Sequence, residues 1–255
     1  MTLVRLKTFG GLSIATLHGP LPEVGFRRHA LALLALIAAA GENGMSRERV
    51  MALLWPEADD AHARNNLKQL SFAIRHGTSP RLLASIAPNL RLDFQVMSAD
   101  ANDFERTLAA GNLELAVDLY AGPFLDGFHL ARLSEFDRWV EGQRARYARR
   151  YEQALETLAH RAGAVGDIRG AVKWWRRLTE HDPVNTEYAV CLIDAFADLG
   201  EPLSALKHFA GHARVIREEF DVDPEPSVRL AAERVRRRLA FDSPISILLE
   251  SAADD

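Results

Sequence analysis

Two stretches of this chain repeat one another at an offset of 34 residues, and that period restricts the fold more than any other feature. Gly166-Asp167-Ile168 precedes Ala171-Val172, and Gly200-Glu201-Pro202 precedes Ala205-Leu206, with Trp175 and Phe209 each nine residues after its glycine. Gly111, Ala116 and Tyr120 show the same internal spacing, 55 residues before Gly166. The glycine ends one helix, the alanine lets the next helix approach closely, and the aromatic ring one turn on fills the seam. Helix pairs of this length bury a continuous core only by stacking, and the stack offers a concave face to partners. Asp182-Pro183 and Asp223-Pro224 mark turns between helices.

From Ala99 onward nearly all of the sequence has helical patterning. Asp103–Ala110 and Leu113–Tyr120 form a helical hairpin about Gly111-Asn112, Gly122-Pro123 and Asp126-Gly127 interrupt the chain, and a long helix runs from about Ser134 to Ala162. The front is different. Leu3 to Ile14 is strand material around Gly10-Gly11, and His18 to Gly25 is a loop with two prolines. Arg27–Ala40 is an apolar helix stopped by Gly41. Ser46 caps a second helix with Val50, Leu53 and Leu54 on its apolar face, ended by Trp55-Pro56. A third helix spans about Asp59–His76. Leu82–Ile86 and Leu90–Phe94 alternate about Pro88-Asn89 as a β-hairpin.

Strands, three helices and a terminal hairpin make a winged helix-turn-helix. The expected fold is therefore mainly α: an N-terminal winged helix-turn-helix (small β-sheet, three helices, wing hairpin) over 1–97, a tetratricopeptide-like all-α helical array over 98–241, and a tail over 242–255. Charge changes at the same place. Residues 1–97 carry 11 Lys/Arg against 7 Asp/Glu, a net of +4, whereas 98–255 carry 20 against 28, a net of −8. A mildly basic module joined to an acidic one suggests different partners, with nucleic acid the natural partner of the basic half.

Other classes are disfavoured. The single cysteine excludes an internal disulfide framework and a Cys-based zinc module. The longest apolar run, Ala30–Ala40, is about half of the roughly 20 residues that span a bilayer. Arg27 and Arg28 before it mimic a signal peptide, but its position after Pro20, Pro22 and Glu23 favours a buried helix in a soluble, cytoplasmic protein with no membrane partner.

The third helix carries the chemistry. Ala63, Leu67, Leu70 and Ile74 share one face, while Asn65, Lys68, Gln69, Phe72 and His76 lie on the far face, with Arg64 and Arg75 on the flank. In a winged helix this helix enters the major groove. Asn and Gln bond adenine edges bidentately, and Arg or Lys bonds guanine or phosphate. The solvated side of an ordinary amphipathic helix has the same composition, and pattern alone leaves both readings open.

Phe26-Arg-Arg-His-Ala-Leu-Ala-Leu-Leu-Ala-Leu, Leu53-Leu-Trp-Pro-Glu and Ala63-Arg-Asn-Asn-Leu-Lys-Gln resemble the DNA-binding part of the bacterial transcriptional activators called antibiotic regulatory proteins. Phe124-Leu-Asp-Gly-Phe, Glu135-Phe-Asp-Arg-Trp-Val and Glu218-Glu-Phe-Asp-Val-Asp-Pro-Glu-Pro-Ser-Val resemble the bacterial transcriptional activation domain (BTAD) that follows it. The likeness covers about residues 3–240. It implies a winged helix that binds double-stranded promoter DNA, and a helical domain that aids homodimerisation and contacts RNA polymerase. DNA contacts then fall to Arg64, Asn65, Lys68, Gln69, Phe72 and Arg75 on the third helix, and to Arg81 and Arg91 at the wing. The chain departs from the family at Phe72-Ala73, where polar or basic residues are usual, and at Ala87-Pro88-Asn89, where the wing usually turns at Gly-Tyr. An exposed Phe72 can meet thymine methyl groups or pack against the rear module, the second being favoured slightly. The alternative function is a protein-interaction scaffold with a degenerate DNA-binding domain. A lesser one is a ligand sensor using the concave array.

Catalytic and cofactor readings find no support. There is no Gly-x-x-x-x-Gly-Lys-Ser/Thr phosphate loop. His208 and His212 stand at i, i+4 without a third metal ligand at suggestive spacing, and Cys191 within Val190-Cys-Leu-Ile reads as a buried helix position. At least one of Trp174 and Trp175 belongs to the core. Arg234-Val-Arg-Arg-Arg-Leu reads as a solvated helix face, and some of Arg144, Arg146, Arg149 and Arg150 as contacts to the front module. The expected protein is not an enzyme and holds no cofactor or metal.

Overall fold

The computed structural model describes residues 4–16, 19–20, 28–86 and 88–241. Leu3, most of the His18–Gly25 loop, Phe26, Arg27, Ala87 and the tail from Asp242 lie outside the described residues. The chain divides into two compact units, Met1–Tyr151 and Glu152–Asp255.

The first unit begins with β1 (Val4–Lys7), β2 (Ser13–Thr16) and β3 (Gly19–Pro20). The two-residue β3 corrects the reading of this stretch as loop. Next come α1 (Arg28–Ala40), β4 (Met45–Ser46), α2 (Arg47–Leu54), α3 (Asp60–Gly77), β5 (Leu83–Ile86), β6 (Asn89–Leu92) and β7 (Met97–Ala99). One sheet has the order β3-β2-β1-β7, with β1 antiparallel to β2 (Leu6 opposite Ile14) and parallel to β7 (Leu6 opposite Ala99). The other, β4-β6-β5, contains the wing hairpin, with Ser85 opposite Leu90. α1 is apolar nearly all round because it is central: Leu33, Leu34, Leu36 and Ile37 are fully buried.

α4 (Asp100–Ala109), α5 (Leu113–Leu119) and the first part of α6 (Ser134–Ala164) pack in the same unit. Phe9, just past β1, lies 5.5 Å from Phe104, 5.0 Å from Tyr120 and 5.1 Å from Tyr147 between ring centroids. The backbone is tied here as well: the Leu125 N–H donates to Thr8 O at 2.7 Å, and the Gly10 N–H to Pro123 O at 3.0 Å. Arg144 donates to the carbonyls of Phe124 (2.8 Å) and Leu125 (2.7 Å), holding that irregular segment, while Arg146 and Arg150 both pair with Glu105 of α4.

The second unit holds α7 (Ile168–His181), α8 (Thr186–Asp198), α9 (Pro202–Phe220) and α10 (Pro226–Phe241). The repeat has a physical basis. Gly111, Gly166 and Gly200 adopt φ of +75°, +77° and +80°, a left-handed helix stop that L side chains resist, and Ala116, Ala171 and Ala205 are buried at the following helix crossings. Asn112 and Asp167 cap the next helix through their side chains, whereas Glu201 makes no side-chain cap and Pro202 opens α9 instead. Trp174 and Trp175 are both buried. Cys191 is half-buried rather than fully buried, and desolvation with nearby Glu187 pushes its thiol up to about 11. Arg234 and Arg238 lie on an exposed face of α10 and pair with Asp194 and Asp198 of α8.

Gly44 underlies the wing. Its φ of +68° and ψ of −168° form a combination essentially restricted to glycine, and a Cβ there would collide with the Leu90 carbonyl of β6. Gly44→Ala is expected to lower unfolding free energy by about 2–3 kcal/mol in urea titrations. An unchanged midpoint would show that the loop relaxes freely.

Candidate nucleic-acid interface

Ser46 stops the chain before α2 and accepts a hydrogen bond from the Arg49 N–H at 3.2 Å. Asp59 does the same for α3, accepting from the His62 N–H at 2.9 Å, and these bonds from His62 hold its carboxyl below the usual carboxylate range. Ala63, Leu67, Ser71 and Ile74 are the buried positions of α3. Leu70, expected in that stripe, is only half-buried and Ser71 takes a buried place. Leu70 instead borders a recess of about 250 Å³ with His29, Trp55 and Gln69, where burial lowers the His29 pKa and its ring stacks on Trp55.

The opposite face is open. Asn65, Lys68, Gln69, Phe72 and His76 are exposed. Phe72 is 62% exposed, its ring centroid 4.2 Å from that of His76. Beside this face lies a concave groove of about 370 Å³ between α2, α3 and the wing. Arg64, Lys68 and Arg75 line it, together with Arg47 at the first position of α2. Arg47 donates to Ser85 Oγ on β5, and Arg75 Nε donates to Leu83 O at 3.0 Å, so two of the four cations also fasten the wing. Arg64 pairs with Asp60 at 3.2 Å on the surface. Glu48 is the carboxylate in the lining.

The wing arginines are placed differently from those of the groove. Arg81 pairs with Asp93 at 3.2 Å across the base of the hairpin. Arg91 is half-buried on β6, and its Nε has no hydrogen-bond partner. Sequence reasoning missed Arg47. The available signal was electrostatic: a cation in the first turn of a helix opposes the macrodipole and calls for another use.

No helix among the described residues is long and apolar enough to cross a membrane. The family model for the bacterial transcriptional activator domain matches residues 92–236, more than half of the chain. Among solved structures the fold is similar to that of Mycobacterium tuberculosis EmbR in complex with a low-affinity phosphopeptide, with a TM-score of 0.60 and 22% identity. That likeness covers 93% of this chain and 66% of the EmbR chain, so the present chain spans slightly less than two thirds of that protein's length. At this identity the likeness is one of fold. No curated protein matches the sequence.

Proposed function

The chain belongs to the bacterial transcriptional activator domain family, as a regulator similar to the antibiotic regulatory proteins, and from that premise we propose that it acts by binding promoter DNA through α3. Residues 1–97 bind the duplex, and the array over 98–241 holds a second protomer or RNA polymerase. The observation that carries this reading is the basic groove beside an exposed polar helix face. The major groove, roughly 12 Å wide, admits one helix. With α3 inserted, Asn65 and Gln69 meet base edges, Phe72 meets thymine methyl groups, and Arg47, Arg64, Lys68 and Arg75 meet phosphate or guanine. Arg81 and Arg91 are secondary phosphate contacts, the first because Asp93 offsets its charge, the second because it is half-buried.

Anisotropy titration of the chain against random duplex and its own upstream region, at two salt concentrations, tests this. Tight, salt-sensitive binding with preference for the upstream duplex is expected, because phosphate neutralisation releases condensed counterions. Folded protein that fails to bind at low salt would return the function to a protein-interaction scaffold. Lys68→Ala is expected to weaken binding to all sequences and to reduce the salt slope by about 1, with little change in stability because the side chain is exposed. Unchanged affinity and slope would remove Lys68 from the contacts.

A further inference from the structure

α10 is the last described helix of the array, and its outer side is not the polar cap that the end of a stacked array needs for solubility. Phe241 is 78% exposed and Leu230 is more than half exposed, as are Phe220 and Val222 at the turn that leads into α10. Charge along this edge is divided. The stretch from Glu218 to Glu225 holds five carboxylates and no Lys or Arg, whereas α10 holds five arginines against Glu233 alone. Four of those arginines fall between Arg234 and Arg238, so the acidic and basic groups sit at opposite ends of the edge.

A helix macrodipole favours acids at the N-terminus and cations at the C-terminus, which accounts for the sign of each end. It does not account for the four exposed apolar side chains beside them. Local pairing also leaves charge over. Arg234 and Arg238 are answered by Asp194 and Asp198 of α8 at 2.9 and 3.5 Å. Arg237 meets only Glu233, at 3.9 Å, and Arg236 lies over the Phe209 ring with no carboxylate among the described residues. At the other end Asp223 pairs with Arg217 at 2.9 Å and Glu218 with Arg214 at 3.8 Å, while Glu219, Asp221 and Glu225 have no ion pair among the described residues. That end is held in place. Asp221 takes the left-handed conformation, with φ of +55° and its N–H donating to Arg217 O at 3.0 Å, and Pro224 is buried.

An edge that is acidic at one end, basic at the other and apolar at intervals is complementary to itself turned end for end. We infer that two copies of this chain associate across a twofold axis near Leu230, with their α10 helices antiparallel. Leu230 then packs on its counterpart. Asp223 and Arg237 stand seven residues to either side of Leu230, so each Arg237 faces the acidic turn of the second copy, and Phe241 comes beside Phe220. Both copies supply the same residues, as an isologous interface requires. This deepens the reading that the array holds a second protomer and rests on that part of it alone, since neither α3 nor duplex DNA enters. One helix and one turn per copy lie at the small end of specific interfaces, so a dissociation constant of about 10 µM is expected. The chain is then monomeric at the nanomolar concentrations of duplex titrations.

Sedimentation equilibrium of the full chain without DNA, from about 1 to about 200 µM at two salt concentrations, tests this. The mass is expected to rise from 28.3 kDa towards twice that value, and added salt to raise the dissociation constant several-fold, because exposed charges are screened. Leu230→Asp, at an exposed position, sets two carboxylates on the axis and is expected to hold the chain at 28.3 kDa with unchanged circular dichroism. Arg237→Glu is expected to weaken association about tenfold, and Glu225→Arg/Arg237→Glu to restore it to within about threefold of the original. A chain that stays at 28.3 kDa throughout overturns the proposal and leaves the face to residues 242–255 or to another protein. A dimer that Leu230→Asp leaves intact overturns it as well, and failure of the double variant to restore association overturns the end-for-end pairing. Because no DNA is present, each of these results is independent of the duplex-binding reading.

Discussion

If α3 and its groove bind duplex DNA as proposed, reversing Arg47 and Lys68 together, as Arg47→Glu/Lys68→Glu, is expected to lower affinity by about 10²–10³-fold near physiological salt. Both side chains are exposed and face one groove, so the pair converts its attractive wall into a repulsive one. The loss has two parts. Two phosphate contacts disappear, and two carboxylates now stand where phosphate would lie. Stability is not the confounder, because a carboxylate in the first turn of α2 suits the helix's positive end better than Arg47 does, leaving only the bond to Ser85 to be lost. The measurement is anisotropy against random and upstream duplexes across a salt series, with Arg229→Glu/Arg237→Glu on α10 as the control of equal charge. A flatter salt dependence in the groove variant alone identifies the groove as the phosphate surface. Equal losses in both variants would reduce the effect to net charge, and no loss in either would remove the groove from the interface.

The helices of this protein were legible because their ends are written locally. Ser46 and Asp59 each accept a backbone N–H three residues on, and Gly111, Gly166 and Gly200 each take the left-handed stop that the repeated spacing implies. In the wing hairpin alternation holds on β6, where Leu90 and Leu92 are buried, but not at the start of β5, where the adjacent Leu82 and Leu83 are both buried. β3, β4 and β7 were not legible, because two or three residues are too few to alternate; β7 exists through its parallel register with β1 across more than 90 residues of sequence. The α3 stripe was read one residue out at its centre, where Leu70 faces a recess beside Trp55 and Ser71 is buried in its place. In the candidate site, α3 was identifiable by spacing. Arg47 was not, because its position depends on where the wing strand β5 runs.

The most consequential contact in the first unit was invisible to any local pattern. Asp100, 8% exposed at the start of α4, accepts hydrogen bonds from the Thr8 N–H at 2.8 Å and the Phe9 N–H at 3.0 Å, from the Thr8 hydroxyl, and from its neighbour's Ala101 N–H at 2.9 Å. Asp100→Ala is expected to cost about 3–5 kcal/mol, a large share of the stability of an ordinary domain. The reason is asymmetric. The methyl group replaces an acceptor but leaves the donors of Thr8 and Phe9 buried, and water cannot reach them without opening the core beside Phe9, which is fully enclosed by Phe104, Tyr120 and Tyr147. Asp100→Asn separates charge from shape. It keeps one acceptor oxygen and turns an amide NH₂ toward donors, so it should lose about 2 kcal/mol, less than the alanine. Urea unfolding followed by circular dichroism and tryptophan fluorescence ranks the three proteins. If alanine costs no more than about 1 kcal/mol, the β1–α4 junction has relaxed to rebuild its hydrogen bonds, and the carboxylate is not what joins the strand to the helical part of the unit.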